Sequence, residues 1–303
     1  KWFDNNNKIT NFIITMADSQ NHYVFLSSEK IQQDVLVPIK NSLRIKYTCF
    51  HVSNLLIAFG SSSGGIYLFQ RCPNGSYQYL LTIINNNGAI TCVSFCSKDE
   101  QIIAASTSRG YLMIFQIDFN GEEVAFGWKT LYELSNFTKY EITILKWHDL
   151  NDYQLYLCDE NGQVFILHNV KALNRLLVLP CPSVILKLGC KVFQLDIFHQ
   201  LLLISTENKF CLYDLNEGSL TQIGKKPRSN GQYGVCFFPK DFDDDEHSCA
   251  IYCARPGLRL WEVDLQANVK YTHQFKESLN SKSPSIVYNQ KEWIISSTKE
   301  FVS

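Results

Sequence analysis

Along this chain apolar residues alternate with polar or small ones in short runs, and no stretch of about twelve residues sustains a helical period. One unit recurs: a short apolar strand, a small or polar turn, then a second apolar strand closed by a bulky residue and a polar one. Its copies read LLIAFGSSSGGIYLFQ (55–70), IIAASTSRGYLMIFQ (102–116), YLCDENGQVFILH (156–168), LLISTENKFCLYD (202–214) and IYCARPGLRLWE (251–262). Anchored on Phe69, Phe115, Leu167, Tyr213 and Trp261, the copies are 46, 52, 46 and 48 residues apart. Steps of about 40–50 residues match one four-stranded propeller blade. Ahead of most copies lies another alternating segment, AITCVSFC (89–96), ITILKWH (142–148), VFQLDIF (192–198) or YGVCFFP (233–239). After them come more polar strands such as YQYLLTII (77–84), SLTQIG (219–224) and VKYTHQF (269–275). A thin sheet covers both faces only by stacking against neighbours, so the middle strands should be apolar on both faces and the last strand polar, as they are.

The pattern predicts an all-β, WD-repeat-like β-propeller of four-stranded blades, seven-bladed when complete, with the chain stopping inside a sixth repeat. We expect one domain over 1–303, with repeats at about 45–87, 88–139, 140–190, 191–231, 232–280 and a partial 281–303. The leading part, 1–44, has strand character over 9–27 and is expected to pair with the C-terminal repeat and help close the ring. The usual WD markers are degenerate: no Gly-His pairs precede the blades, and the WD dipeptide survives only as Tyr213-Asp214 and Trp261-Glu262.

Composition narrows the function. A 46% hydrophobic, 13% aromatic chain with net charge -1 exerts no overall pull on phosphate backbones or anionic lipid. Nucleic acid is therefore not an expected partner. Eleven cysteines, an odd and scattered set without C-x-x-C, read as reduced core thiols of a cytosolic protein.

Several constellations invite chemistry. Gly60-Ser61-Ser62-Ser63-Gly64 fits the G-x-S-x-G nucleophile elbow, but that motif needs a helix after the serine and here Ile66-Tyr67-Leu68-Phe69 reads as a strand. His247, Cys249 and Cys253 suggest zinc, yet on a strand the two cysteines lie about 13 Å apart. The run Asp241, Asp243, Asp244, Asp245, Glu246 lacks the glycine and distal glutamate of a calcium loop. No metal or cofactor is expected. Lys225, Lys226 and Arg228, with Pro227 between, form a basic loop. The insert 119–139 carries exposed-looking Phe126, Trp128 and Tyr132. Arg255-Pro256-Gly257 reads as a tight hairpin turn that displays the arginine at the rim. The candidate partner-binding residues are thus Arg255, Phe126, Trp128, Lys225, Lys226 and Arg228.

Residues 221–278 carry a resemblance. YGVCFFP (Tyr233 to Pro239), IYCARPGLRLWEV (Ile251 to Val263) and THQFK (Thr272 to Lys276) resemble the fifth repeat of the Hermansky-Pudlak syndrome 5 family. Tyr233, Cys236, Phe237, Phe238, Pro239, Pro256, Gly257 and Trp261 form its structural signature. Thinner matches in order, AFGSSSGGIYLFQ, GAITCVSF with IIAASTSRG, and VFQLD with LLIST, extend it over about 45–303. Tectonin β-propeller repeat proteins look similar at A-R-P-G-L-R-L-W, but Thr272 to Lys276 and Glu262-Val263 favour the former. The resemblance implies a non-enzymatic scaffold, a subunit of the biogenesis of lysosome-related organelles complex 2, whose propeller precedes a long helical region and which sorts endosomal cargo to pigment granules and similar organelles. It further implies partners among the complex's own subunits, small GTPases as additional ones, no small-molecule substrate, and a cytosolic protein peripheral to early endosomes. It carries no catalytic residues. The contrasting readings are an autophagy-linked adaptor of the tectonin type and a propeller hydrolase using Ser62, which would need polar innermost strands where YGVCFF and ITCVSF are apolar.

Overall fold

The computed structural model describes residues 10–15, 25–30, 32–72, 76–118, 127–148, 153–168, 170, 180–225, 231–239, 249–256, 259–274, 285–289 and 292–296. A hairpin of β1 (Thr10–Thr15) and β2 (Phe25–Lys30) leads into a one-turn helix α1 (Gln32–Leu36) and a 3-10 turn (Val37–Ile39). Five antiparallel sheets of four strands follow, each in sequence order. The first holds β3 (Tyr47–Val52), β4 (Leu56–Ser61), β5 (Ile66–Arg71) and β6 (Tyr77–Ile83). The second holds β7 (Ile90–Cys96), β8 (Asp99–Thr107), β9 (Leu112–Asp118) and β10 (Gly127–Leu134). The third holds β11 (Ile142–Trp147), β12 (Leu155–Asp159), β13 (Gln163–Leu167) and β14 (Ser183–Lys187). The fourth holds β15 (Val192–Phe198), β16 (Leu201–Thr206), β17 (Phe210–Asp214) and β18 (Ser219–Ile223). The fifth holds β19 (Val235–Pro239), β20 (Cys249–Arg255), β21 (Arg259–Val263) and β22 (Val269–Gln274). A second hairpin, β23 (Ser285–Asn289) with β24 (Glu292–Ser296), ends the described chain. Among the described residues each outer hairpin is a two-stranded sheet of its own.

Burial follows the polarity of the strands. β4 is buried along its whole length and β5 over its first four residues, whereas β22 is exposed from Lys270 onward. The chain divides into two compact units, Gln33–Val192 and Phe193–Ser303 with Phe3–Gln32.

In the unit Gln33–Val192 the second sheet shows how one strand serves two cores. On β8, Ile103 and Ala105 join Leu56, Ala58, Leu68 and Phe95 on one side. Their neighbours Ile102 and Ala104 join Leu145, Trp147, Leu155 and Leu157 on the other, as a side-chain period of two dictates. Full burial of each such aliphatic side chain contributes about 1.5–3 kcal/mol. Polar stitches fix the register between sheets. The first strands of the three sheets each carry a bulge at a threonine, Thr48, Thr91 or Thr143. There Thr48 Oγ1 donates to the Ile90 carbonyl at 2.6 Å and Thr91 Oγ1 to that of Ile142 at 2.9 Å. The Trp147 indole N–H donates to Ser94 O at 3.0 Å, and Phe95 N–H donates to His51 Nδ1 at 3.3 Å. Burial, with Lys146 second, pulls the His51 pKa down to about 4.

The other unit repeats this plan. Leu203, Phe210 and Leu212 pack with Val235, Phe237, Ile251 and Leu260. Ser205 Oγ donates to Tyr233 O at 2.5 Å, and Asp196 Oδ2 accepts the Phe237 N–H at 2.9 Å.

At the end of the second strand of the first four sheets sits a fully buried oxygen-bearing side chain: Ser61, Thr107, Asp159 and Thr206. Each ties down the following turn. Ser61 Oγ donates to Gly65 O (2.8 Å), and Thr107 Oγ1 accepts from Arg109 N–H and Tyr111 N–H (3.4 and 3.3 Å). Asp159 Oδ1 accepts from Asn161 and Gln163 N–H (3.1 and 2.9 Å), and Thr206 Oγ1 accepts from Lys209 N–H (3.2 Å).

Candidate interaction surface on the fifth sheet

The fifth sheet puts Arg255 where its neighbours have a short anchor. Proline follows, and Pro256 has no N–H to give. In the first three sheets that position donates to the strand behind it, from Ser62 to Lys46 O, Ser108 to Ala89 O and Glu160 to Glu141 O, at 2.8, 2.8 and 2.9 Å. In the fifth sheet the tie to the strand behind comes two residues earlier, from Ala254 N–H to Gly234 O at 2.9 Å, and the arginine that follows is held by an aromatic ring.

Arg255 is not displayed freely at a rim. It is half-buried, its guanidinium carbon 4.0 Å from the centroid of the Trp261 ring. A partly desolvated stack of this kind is worth about 1–2 kcal/mol. The antiparallel register explains the contact: Trp261 lies opposite Cys253, two residues before Arg255 on the adjacent strand. Arg259 faces Arg255 directly across the turn, and its Nε donates to Pro256 O at 3.0 Å. Burial first, then the charge of Arg259, lowers the Arg255 pKa. Behind the indole comes Gly224, in the left-handed region at φ +74°, where a Cβ would lie 2.5 Å from Trp261 Cζ3. Lys225, the exposed first residue of the basic loop, follows it directly. Arg255 and Trp261 therefore meet at one end of the fifth sheet, and Lys225 follows the glycine that abuts the indole. Lys226, Arg228, Gly257 and the acidic run 241–246 lie outside the described residues.

The remaining signature residues are structural. Tyr233, Cys236 and Phe237 are buried in the core of their unit. Phe238 packs edge-on against Tyr252 at 5.7 Å, and Pro239 ends β19 opposite Cys249. Phe126 lies outside the described residues. Trp128 is 38% exposed on β10 and meets Phe115 edge-on at 5.3 Å. Tyr132 corrects an expectation: it is 1% exposed, with its hydroxyl donating to Pro180 O at 2.7 Å. The strand's alternation, blurred by a bulge between Thr130 and Tyr132, turns it inward.

Arg259, Gly224, Tyr271 and the Glu262–His273 pair were not singled out as site residues. Tyr271, 63% exposed, and His273 occupy alternate positions of β22, and His273 Nε2 lies 3.1 Å from Glu262 Oε2. The signal available for Arg259 was the Arg-x-x-x-Arg spacing across a Pro-Gly turn, which places both side chains at one hairpin end.

The other constellations resolve into structure. Gly60 and Ser61 end β4 and Ser62 to Gly64 turn into β5, with Ser62 Oγ accepting the Lys46 N–H at 3.0 Å and donating to Arg44 O at 3.4 Å. Strand follows the serine, so there is no helix N-terminus to supply an oxyanion site. Cys249 and Cys253 are buried, as are Cys96, Cys158, Cys211 and Cys236. Among the described residues no group of His, Cys, Asp or Glu side chains is placed to hold a metal ion. Among them, too, no helix is long and apolar enough to cross a membrane.

Four-stranded antiparallel sheets strung in sequence order, apolar at the middle and polar at the last strand, define a WD-type β-propeller. The WD40 domain of Toxoplasma gondii coronin superposes with a TM-score of 0.58 over 80% of this chain and 62% of that one, at 12% identity. Residues 26–302 match the HPS5 β-propeller family, and the chain belongs to that family. The BLOC-2 complex member HPS5 homolog of Drosophila melanogaster is 37% identical over 80% of this chain and 28% of its own length. The human BLOC-2 complex member HPS5 is 30% identical over 89% of this chain and 23% of its own. Human tectonin β-propeller repeat-containing protein 2 also matches, at 30% over 78% of this chain and 16% of its own length. The chain thus spans about a quarter of the length of these two HPS5 relatives.

Proposed function

We propose that this chain is the interaction propeller of a BLOC-2 subunit, a binding platform without chemistry of its own. The observation that carries the reading is the family match over residues 26–302, joined to a fold whose turns and outer strands are built for display. In this reading 1–303 forms one propeller body, completed to seven blades in the full protein. Its partners are the sister subunits, with small GTPases as further contacts. It works in the cytosol on early endosomes, delivering cargo to lysosome-related organelles. Phe126, Trp128, Lys225, Lys226, Arg228 and Arg255 are its contact residues.

The test is purification of the tagged full-length protein from cells, read by mass spectrometry. Recovery of the other BLOC-2 subunits is the expected result; a preparation lacking them, or one enriched in autophagy components, refutes the assignment.

A further inference from the structure

The geometry points to a recognition site for an acidic segment of a partner protein at the end of the fifth sheet, with Arg255 as anchor, Arg259 and Lys225 as flanking cations and Trp261 as the wall. The inference rests on the reading above and adds to it the surface and the chemistry of what it binds.

Arg255 is half-buried and stacked, yet among the described residues no hydrogen bond or ion pair engages its guanidinium. Arg259 faces it directly across the turn. Nearby acids are occupied elsewhere: Glu262 meets His273 at 3.1 Å, and Asp264 meets Lys270 at 2.9 Å. Two like charges facing each other across a hairpin are unfavourable, and a half-buried donor set without an acceptor is more so. An incoming carboxylate relieves both. A guanidinium held over an indole through its carbon still has N–H groups for the bidentate geometry that carboxylates accept. Gly224 brings the chain close behind the ring, and Lys225 follows at once.

A peptide is favoured as the carrier of the charge because an exposed strand runs into the site. β22 is the last strand of its sheet, exposed from Lys270 to Gln274, and Gln274 stands opposite Arg259. An extended segment following β22 would run past Thr272 and Gln274, which share a face with Trp261 and Arg259, and reach the arginines with its acidic residue.

The experiment measures anisotropy of fluorescein-labelled hexaglutamate titrated with the full-length protein, its Arg255→Gln, Arg259→Glu and Lys225→Glu variants, and hexalysine as control. We expect saturable hexaglutamate binding, weakened roughly tenfold or more by each arginine substitution. Binding should also fall when ionic strength rises from about 0.05 M to about 0.5 M. Equal affinity of wild type and the arginine variants, or capture by phosphoinositide-containing phosphatidylcholine vesicles without peptide binding, overturns the site. Arg259 and Lys225 are exposed, so their variants carry the test should Arg255→Gln fail to fold by thermal melt. Sister subunits are scored in the same preparations: their absence from wild type sinks the functional reading, while their presence without hexaglutamate binding sinks only this inference.

Discussion

The turn after the second strand is made in two ways in this molecule. In the first four sheets a fully buried hydroxyl or carboxylate closes it, and in the first three a backbone N–H also ties it to the strand behind. In the fifth, a cation held on Trp261 stands in the place of the buried anchor, and the backbone tie to the strand behind is made by Ala254 N–H to Gly234 O, before the arginine. The difference separates a position closed by a buried oxygen from the same position held by a cation on an indole. A buried, satisfied anchor has nothing left to offer a partner, whereas a stacked arginine without an acceptor does.

That contrast can be broken at its strongest anchor first. Asp159 accepts from two backbone N–H groups, the Gln163 side-chain amide and Thr138 Oγ1. Asp159→Ala strands these donors in a buried site and should cost about 3–5 kcal/mol in urea unfolding.

The links between sheets differ as well, since Phe95 N–H is received by His51 in one unit and Phe237 N–H by Asp196 in the other. The His51 pKa is depressed to about 4 in the fold. Its neutral form therefore stabilises the native state fully above the unfolded value of about 6.5, and that stability is lost as pH falls towards 4. The loss should approach about 3 kcal/mol and be missing from His51→Gln, as urea midpoints at pH values across that window will tell.

Gly224→Ala sharpens the fifth-sheet side of the comparison. A Cβ there meets Trp261 at 2.5 Å and the backbone is left-handed, so about 2 kcal/mol of stability and the native tryptophan emission should change together. An unchanged spectrum would mean that the stack does not depend on this glycine.

The smallest effects come from exchanging the proline. Ser108→Pro removes the N–H bonded to Ala89 O and should lower stability by about 1–2 kcal/mol. Pro256→Ser breaks no such bond and should stay within about 1 kcal/mol. Similar losses from both would show that the fifth turn is tied down like the others.

Much of this architecture was legible in the chain. Alternation over strands such as Ile102 to Thr107 marks residues that serve two cores, because a two-residue period sends neighbours to opposite faces. Small or polar turns between apolar runs mark hairpins for the same local reason. Tyr132 was misread because a bulge shifts its strand by one residue, and composition does not record a bulge. The arginine was legible as a residue, but not its stack on Trp261, which depends on strand register.

The sequence by itself determined the repeating sheets, the buried character of their middle strands and the family, since each is written in short-range periodicity or in strings of adjacent residues. Only the tertiary structure decided which turn oxygens are buried anchors, which threonines stitch one sheet to the next, and that Arg255, Arg259, Trp261 and Gly224 meet. Those outcomes depend on register and on the stacking of separate sheets, where residues dozens of positions apart become neighbours.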